Sequence, residues 1–323
     1  MAKTVTTGNN SQSGKPERGD DVEMILADEL ALADRALRGV PPVLTHMLAS
    51  SRQTLVSDAI VARLRGILTS LSAQLIAAMN ETAKPIDNGQ AIDQLTDLLA
   101  GDSVVLSYCY ALAMEAHLTE RLEHRASIDP VVSLLLQELI ASDNPQTAEL
   151  AMTALAAQSR FIQSQRRMDL PLSELPADLF QTVLKRWEKQ HKNDPKVADA
   201  SKRLKAQYDE GATRVGLLAR LISSMKGGAI AALELEHAGL GLFVTALSML
   251  SKQPRELSIL ACHEQQTARL VLSLRAAGAS AASIERQFLI LEPVDRLPGD
   301  IATLAQDRAA ALLKQVQTKG RLG

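Results

Sequence analysis

Aromatic side chains are nearly absent from this chain: one Trp, three Tyr and four Phe make up 2% of 323 residues. Because hydrophobic residues still amount to 46%, the core must be packed with Leu, Ala, Ile, Val and Met, a set that favours helices over strands. There are only two cysteines, Cys109 and Cys262. They lie far apart inside helical patterns, which excludes a disulfide framework and fits a reduced, cytoplasmic setting. Net charge is nearly absent too. With 35 basic and 37 acidic residues the balance is −2, so no global field draws in nucleic acid or an anionic membrane. No apolar run reaches the roughly eighteen residues of a membrane span, no signal peptide opens the chain, and no strand pattern is long enough to count. A Gly-rich phosphate loop, an aspartate-rich prenyl-diphosphate motif and a Gly-x-Ser-x-Gly elbow are all missing.

What is present is helical periodicity, clearest from Pro145 to Trp187. Proline after Asp143-Asn144 is a helix start, because the first helical position needs no donor. Ala148, Met152, Leu155, Ser159 and Ile162 then recur at three- and four-residue steps as the expected buried face, with Glu149, Thr153, Arg160, Gln163 and Arg167 opposite. Pro171 and Pro176 end that helix. A second one opens near Pro176 on the stripe Leu179, Phe180, Val183, Leu184 and Trp187.

Taken in order, residues 1 to about 20 are polar and without periodicity, which predicts a disordered tail. A helix is expected over Asp21 to Arg38, closed by Gly39 and Pro41-Pro42. A long one follows over about Arg52 to Met79, whose face is Val56, Ile60, Leu64, Ile67, Leu71, Leu75 and Ala78, despite the cost of about 1 kcal/mol for Gly66. Asp87 and Gly101 bracket a shorter helix with Ile92, Leu95 and Leu99. Asp102-Ser103 caps the next, to about Arg125, and Asp129-Pro130 starts another. The two X-Pro starts at 130 and 145 do not continue as a repeat. Lys185 to Lys205 is rich in Lys and Arg, which puts a domain boundary near residues 188 to 196. Past it, Val197, Leu204, Gly211, Leu218 and Met225 fall at seven-residue steps with Tyr208, Val215 and Ile222 interleaved, a coiled-coil-like seam that Gly211 either tightens or splits. Gly227-Gly228 closes it. The remaining helices are about Glu236 to Ser251, Pro254 to Ala277 with a break near His263, Ser280 to Leu291, and Asp300 to Val316. The sum is an all-α fold of about ten helices, an irregular bundle or stacked hairpins in two packed parts, 21–190 and 191–323.

Phe161-Ile162-Gln163-Ser164-Gln165-Arg166-Arg167-Met168, Glu174-Leu175-Pro176-Ala177-Asp178-Leu179-Phe180, Leu274-Arg275-Ala276-Ala277-Gly278 and Glu285-Arg286-Gln287-Phe288 resemble an uncharacterised bacterial family, domain of unknown function 2336. The resemblance covers most of the chain after about residue 50. It implies a bacterial helical protein and brings no activity and no site residues.

Several clusters carry chemistry on paper. Arg160, Gln163, Arg166 and Arg167 could hold a phosphate or an acidic partner, although cations in a last helical turn also complement the helix dipole. Trp187 beside the basic stretch suggests base stacking, but it lies on an apolar stripe, so nucleic acid is not expected. His46, in Thr45-His46-Met47-Leu48-Ala49-Ser50-Ser51, resembles the phosphoacceptor stretch of histidine phosphotransfer domains, but Ala49 and Ser50 stand where Lys-Gly is usual. Glu234-Leu235-Glu236-His237 holds one Glu-x-x-His where a di-iron bundle needs two and further Glu, so no metal or cofactor is expected. Cys262-His263 is no dyad, since neighbouring helical residues diverge. The leading expectation is a non-enzymatic helical interaction or scaffold protein, with a protein partner and a homodimer seam through Val197, Leu204, Tyr208, Val215, Leu218, Ile222 and Met225. A phosphotransfer module on His46 comes second, and a helical enzyme or ligand binder with an interhelical pocket third.

Overall fold

The structure, a computed structural model, describes residues 18–49, 57–80, 88–191, 194–291 and 303–321. Among them are fourteen α-helices, three 3-10 segments and no strand, so the all-α expectation holds and the count of about ten is too low. The first seven helices are α1 (Arg18–Ala49), α2 (Asp58–Asn80), α3 (Gly89–Ala100), α4 (Ser103–Ala126), α5 (Leu134–Ile140), α6 (Pro145–Arg166) and α7 (Ala177–Gln190). Then come α8 (Pro195–Gln207), α9 (Arg214–Ser224), α10 (Leu235–Ser251), α11 (Arg255–Ala261), α12 (Thr267–Ala276), α13 (Ala281–Leu291) and α14 (Gln306–Arg321). The expected tail is described only from Arg18 onward; Val56, Asp87, Pro298 and Gly299 lie outside the described residues.

Capping chemistry decides most boundaries. The Asp102 carboxylate accepts from the backbone N–H groups of Val104 and Val105 at 3.0 and 3.2 Å, opening α4, and Asn144 does the same for Gln146 and Thr147 ahead of Pro145. These are the first orphan donors of each helix. Asp129 also accepts from two N–H groups, those of Val131 and Val132, but forms only a turn there. Ser133 caps the helix proper, so α5 starts four residues later than the Asp-Pro signal suggests.

The helix α1 is a correction in the other direction, running through Gly39 and both Pro41 and Pro42. Prolines cannot donate back to Leu37 and Arg38, yet fully buried Leu44 anchors the extension. In α6 the phase differs from expectation. The buried residues are Ala151, Ala154, Ala157, Gln158, Phe161, Ile162, Ser164 and Gln165, while Met152 is 60% exposed. The face rotated because small alanines, not the larger Met and Leu, admit α9 at close range. In α2 and α7 the predicted stripes are the buried ones, with Leu64, Ile67, Leu71 and Leu75 in one and Leu179 to Trp187 in the other. Asp58–Met79 is also long and apolar enough to cross a membrane by length and composition, and bent helix pairs raise that number to three. This corrects the expectation of no such run; the buried leucines of α2 lie in the protein core.

The heptad stretch is two helices, the split that Gly211 had left open. Tyr208 leaves α8 in an extended conformation, stacks on Phe180 at 4.2 Å and donates its hydroxyl to the Leu175 carbonyl at 2.7 Å. Asp209 then accepts from Gly211 N–H, and the Thr213 hydroxyl caps α9 by accepting from Gly216 N–H at 3.0 Å. Val197, Leu218 and Ile222 of the proposed seam are buried within the chain. Buried residues on both sides of positions 188–196 form one contiguous core, with α9 packed on α6 and α11 on α4.

Two glycines are required by close approach. At Gly66 a β-carbon would stand 2.6 Å from Met168 Cβ, and at Gly216 one would stand 2.4 Å from the Glu210 carbonyl oxygen. Although alanine is the better helix former by about 1 kcal/mol, Gly216→Ala is expected to destabilise by about 1–3 kcal/mol, because backbone cannot yield as a side chain tip would. Urea unfolding monitored by circular dichroism measures it, and a midpoint above wild type would contradict the packing.

Candidate functional site: a buried charge triad behind an apolar cleft

Three charged residues sit on the apolar stripes of their own helices. Glu115 interrupts the α4 run Ala111, Leu112, Leu118; Arg214 precedes Leu217, Leu218 and Leu221 in α9; Arg255 precedes Ser258 and Ile259 in α11, with Cys262 just past its end. Spacing at i, i+3, i+4 and i+7 carries each of them into the core. There they meet. Arg214 Nη2 donates to both Glu115 oxygens at 3.0 Å, and its Nη1 donates to Glu115 Oε1 and Gln158 Oε1, each at 3.0 Å. Arg255 donates from Nη1 and Nη2 to the same carboxylate at 2.9 and 2.8 Å, and from Nε to the Thr245 hydroxyl at 3.3 Å. The Arg214 guanidinium also lies 3.5 Å from the centre of the Phe161 ring, a cation–π contact. Gln158 in turn donates to the Pro130 carbonyl at 2.8 Å, and Glu174 accepts from the Arg214 backbone N–H.

Burial by itself would raise the Glu115 pKa, but the charges and hydrogen bonds of Arg214 and Arg255 overcome it and hold it down at about 2. Both arginines stay charged, as guanidinium groups do in proteins. Each occupies the first position of its helix, the end where the dipole disfavours a cation. Their placement is therefore set by Glu115 and not by local helix electrostatics.

Two turns N-terminal to Glu115 on α4 is Tyr108, 6% exposed. It forms part of the wall of an open cleft of about 670 Å³. Leu37 and Pro41 of α1, Val104 of α4, Leu179 of α7, and Leu257 and Leu260 of α11 make it apolar. Val104 is 61% exposed there. Asp34, Arg38, Asp178 and Glu256 supply charge at the cleft. Asp34 pairs with Arg269 and Arg38. Burial raises the Tyr108 pKa, partly offset by Arg255 and Arg214, so the phenol is neutral. Its hydroxyl has no hydrogen-bond partner among the described residues.

The residues singled out in the sequence lie elsewhere. Arg160, Gln163, Arg166 and Arg167 share the exposed side of α6, and Arg167 pairs with Asp169 at 3.1 Å. His46 falls in the last turns of α1, its side chain outside the described residues. Glu234 accepts from Ser283, Arg286 and Gln287, His237 contacts Glu138 at 3.1 Å, and no group of three or more potential metal ligands occurs among the described residues. Trp187 is fully buried, which leaves no face for a base. The triad was missed because its members are 99 and 140 residues apart in sequence; the available signal was a lone charge on each apolar stripe.

Two expected outcomes follow from this geometry. Glu115→Gln removes the only carboxylate between two buried cations, and its cost is expected to be about 3–5 kcal/mol at neutral pH. Because the folded pKa is depressed from 4.5 to about 2, the Glu115 contribution is complete above about pH 4.5 and is lost as pH falls toward 2, amounting to about 3 kcal/mol. Urea titrations of both proteins at pH 7 and pH 3 check this: the gap between them narrows in acid. Burial also pushes the Cys109 and Cys262 thiols up to about 12, so a chromogenic disulfide reagent is expected to label neither in native protein and both after denaturation.

Comparison with protein-family models, with curated proteins and with solved structures gives no match, so the site stands on its own geometry.

Proposed function

We propose that this chain is a non-enzymatic interaction protein whose binding surface is the apolar cleft between α1, α4, α7 and α11. One observation carries the reading: the cleft presents Leu37, Val104, Leu179, Leu257 and Leu260 around an open volume of about 670 Å³. Covering apolar surface releases about 25 cal/mol per Å², so an occupant that covers these side chains is held by their burial. The triad supports the same reading from behind. Its charges are spent on one another and on Gln158 and Thr245, which makes them a rigid support beneath Tyr108 and not a set of groups turned toward the cleft.

A neutral solvatochromic dye, Nile red, tests the cleft. Its emission is expected to rise and shift to the blue with the wild-type chain and to fall at least about threefold with Val104→Gln/Leu257→Gln, both polar swaps at partly exposed positions. Leu289→Gln, at a residue 79% exposed on α13, is expected to leave the signal unchanged. Equal loss in both proteins would remove the cleft as the binding surface.

A further inference from the structure

We infer that the occupant of this cleft is a basic amphipathic helix, with an apolar stripe flanked by Lys or Arg; the inference rests on the cleft being the binding surface. Charge is the first argument. Arg38 and Asp34 face one another and Asp34 also holds Arg269, so two cations meet one carboxylate and that edge has one positive charge in excess. Asp178 and Glu256 are different: neither carboxylate has an ion-pair or hydrogen-bond partner among the described residues. Each stands in the first turn of its helix, where the dipole compensates about half a charge, and the remainder faces the cleft. A cationic flank therefore gains, and an anionic one is repelled.

The second argument is the Tyr108 hydroxyl. It belongs to a side chain more than nine-tenths buried, yet no group among the described residues takes it up, and it borders the cleft. The oxygen is not one of the enclosed unpaired polar atoms of the core, so it opens onto the cleft. A lysine or arginine N–H entering over the apolar wall has an acceptor there. Shape decides between a helix and a small amine. Small-molecule sites bury most of their ligand, whereas this trough is open, with Val104 61% exposed and Asp178 at its rim exposed. A helix laid in a groove inserts one stripe and leaves the other in water, which is the arrangement that an apolar floor with acidic edges accepts.

Fluorescence anisotropy with the full chain tests this, using labelled peptides of about sixteen residues, long enough to form a helix. One carries leucines at i, i+3, i+4 and i+7 with lysines between, a second has glutamates in place of the lysines, and a third keeps the lysines but replaces leucine by glycine. The leucine–lysine peptide is expected to bind at least about tenfold tighter than either control. Asp178→Asn/Glu256→Gln is expected to weaken it about fivefold or more at low salt, with Asp178→Asn alone moving in the same direction should the double variant fold poorly. If the lysine and glutamate peptides bind alike and both are lost in Val104→Gln/Leu257→Gln, the cleft stands as the binding surface and the basic partner falls. If no peptide binds at about 100 μM, or if binding ignores the Val104/Leu257 pair, the cleft reading falls with it. Equal binding of the glycine–lysine peptide overturns the inference as mere charge attraction.

Discussion

Glu115 takes one negative charge into the interior, and Arg214 and Arg255 take two positive ones to meet it. Desolvating three charges costs several kcal/mol for each ion, and their mutual attraction returns that only where the geometry is good. Here it is good. Both carboxylate oxygens are shared between two guanidinium groups, the spare N–H of Arg214 goes to Gln158, and Phe161 covers its face. An apolar replacement of equal volume would often be about as stable, so the consequence of the charges lies in which packing is permitted. A leucine core tolerates small rotations of its helices; a carboxylate held by two forks does not. Glu115 thus fixes the N-terminal ends of α9 and α11 against the middle of α4, and with them the junction between the two halves of the sequence.

That constraint also shapes the surface. Once the first turn of α11 is held by Arg255, the neighbouring Glu256 and Leu257 must face outward beside Tyr108. The first turn of α4 is held separately by Asp102, which caps it and accepts from Arg186 of α7 at 2.8 Å. The start of α7 is tied to the α8–α9 connection through the Ala177 N–H and Glu210 at 3.0 Å. Three helix starts are therefore pinned by polar contacts near one another, and among the described residues the apolar side chains between them are left uncovered. The cleft is a by-product of strong local fixing. For the same reason it is pre-formed, and a partner would lose little to reorganisation on binding.

How much of this was legible in the sequence depends on the range of the interaction involved. Caps act over two or three residues, and Asp102, Asn144 and Ser280 open helices as their spacing says, while Asp194, inside the expected boundary, caps α8 as well. Stripes of large residues were equally clear, as in Leu64 to Leu75 and Leu179 to Trp187. Alanine faces were not: α6 buries Ala151, Ala154 and Ala157, and its periodicity reads one step out because Met152 and Leu155 weigh more in a hydrophobic count. The heptad over Val197 to Met225 left open whether Gly211 tightens or splits the helix, for a related reason. Seven-residue spacing says nothing of Asp209 and Thr213, whose side chains take the backbone donors that one continuous helix would need. The triad and cleft join residues of four or more helices, and such meetings leave no local trace beyond a charge where an apolar residue is due.

The same physics moves functional weight from the basic face of α6 to the cleft. Arg160, Gln163, Arg166 and Arg167 are conspicuous as text, yet they are exposed and hydrated, and Arg167 already has Asp169. Exposed ion pairs are worth about 0–1 kcal/mol, so a partner that met only this face would gain little and lose that little in salt. Val104, Leu257 and Leu37 are inconspicuous in a chain nearly half hydrophobic, but water opposes their exposure continuously and every square ångström covered counts in the same direction. On the proposed reading, the acidic groups at the rim would select which apolar surface arrives, by repelling the wrong charge as much as by attracting the right one. In that proposal affinity from the floor and selectivity from the rim are separate contributions, and the exposed face of α6 offers no apolar floor to match.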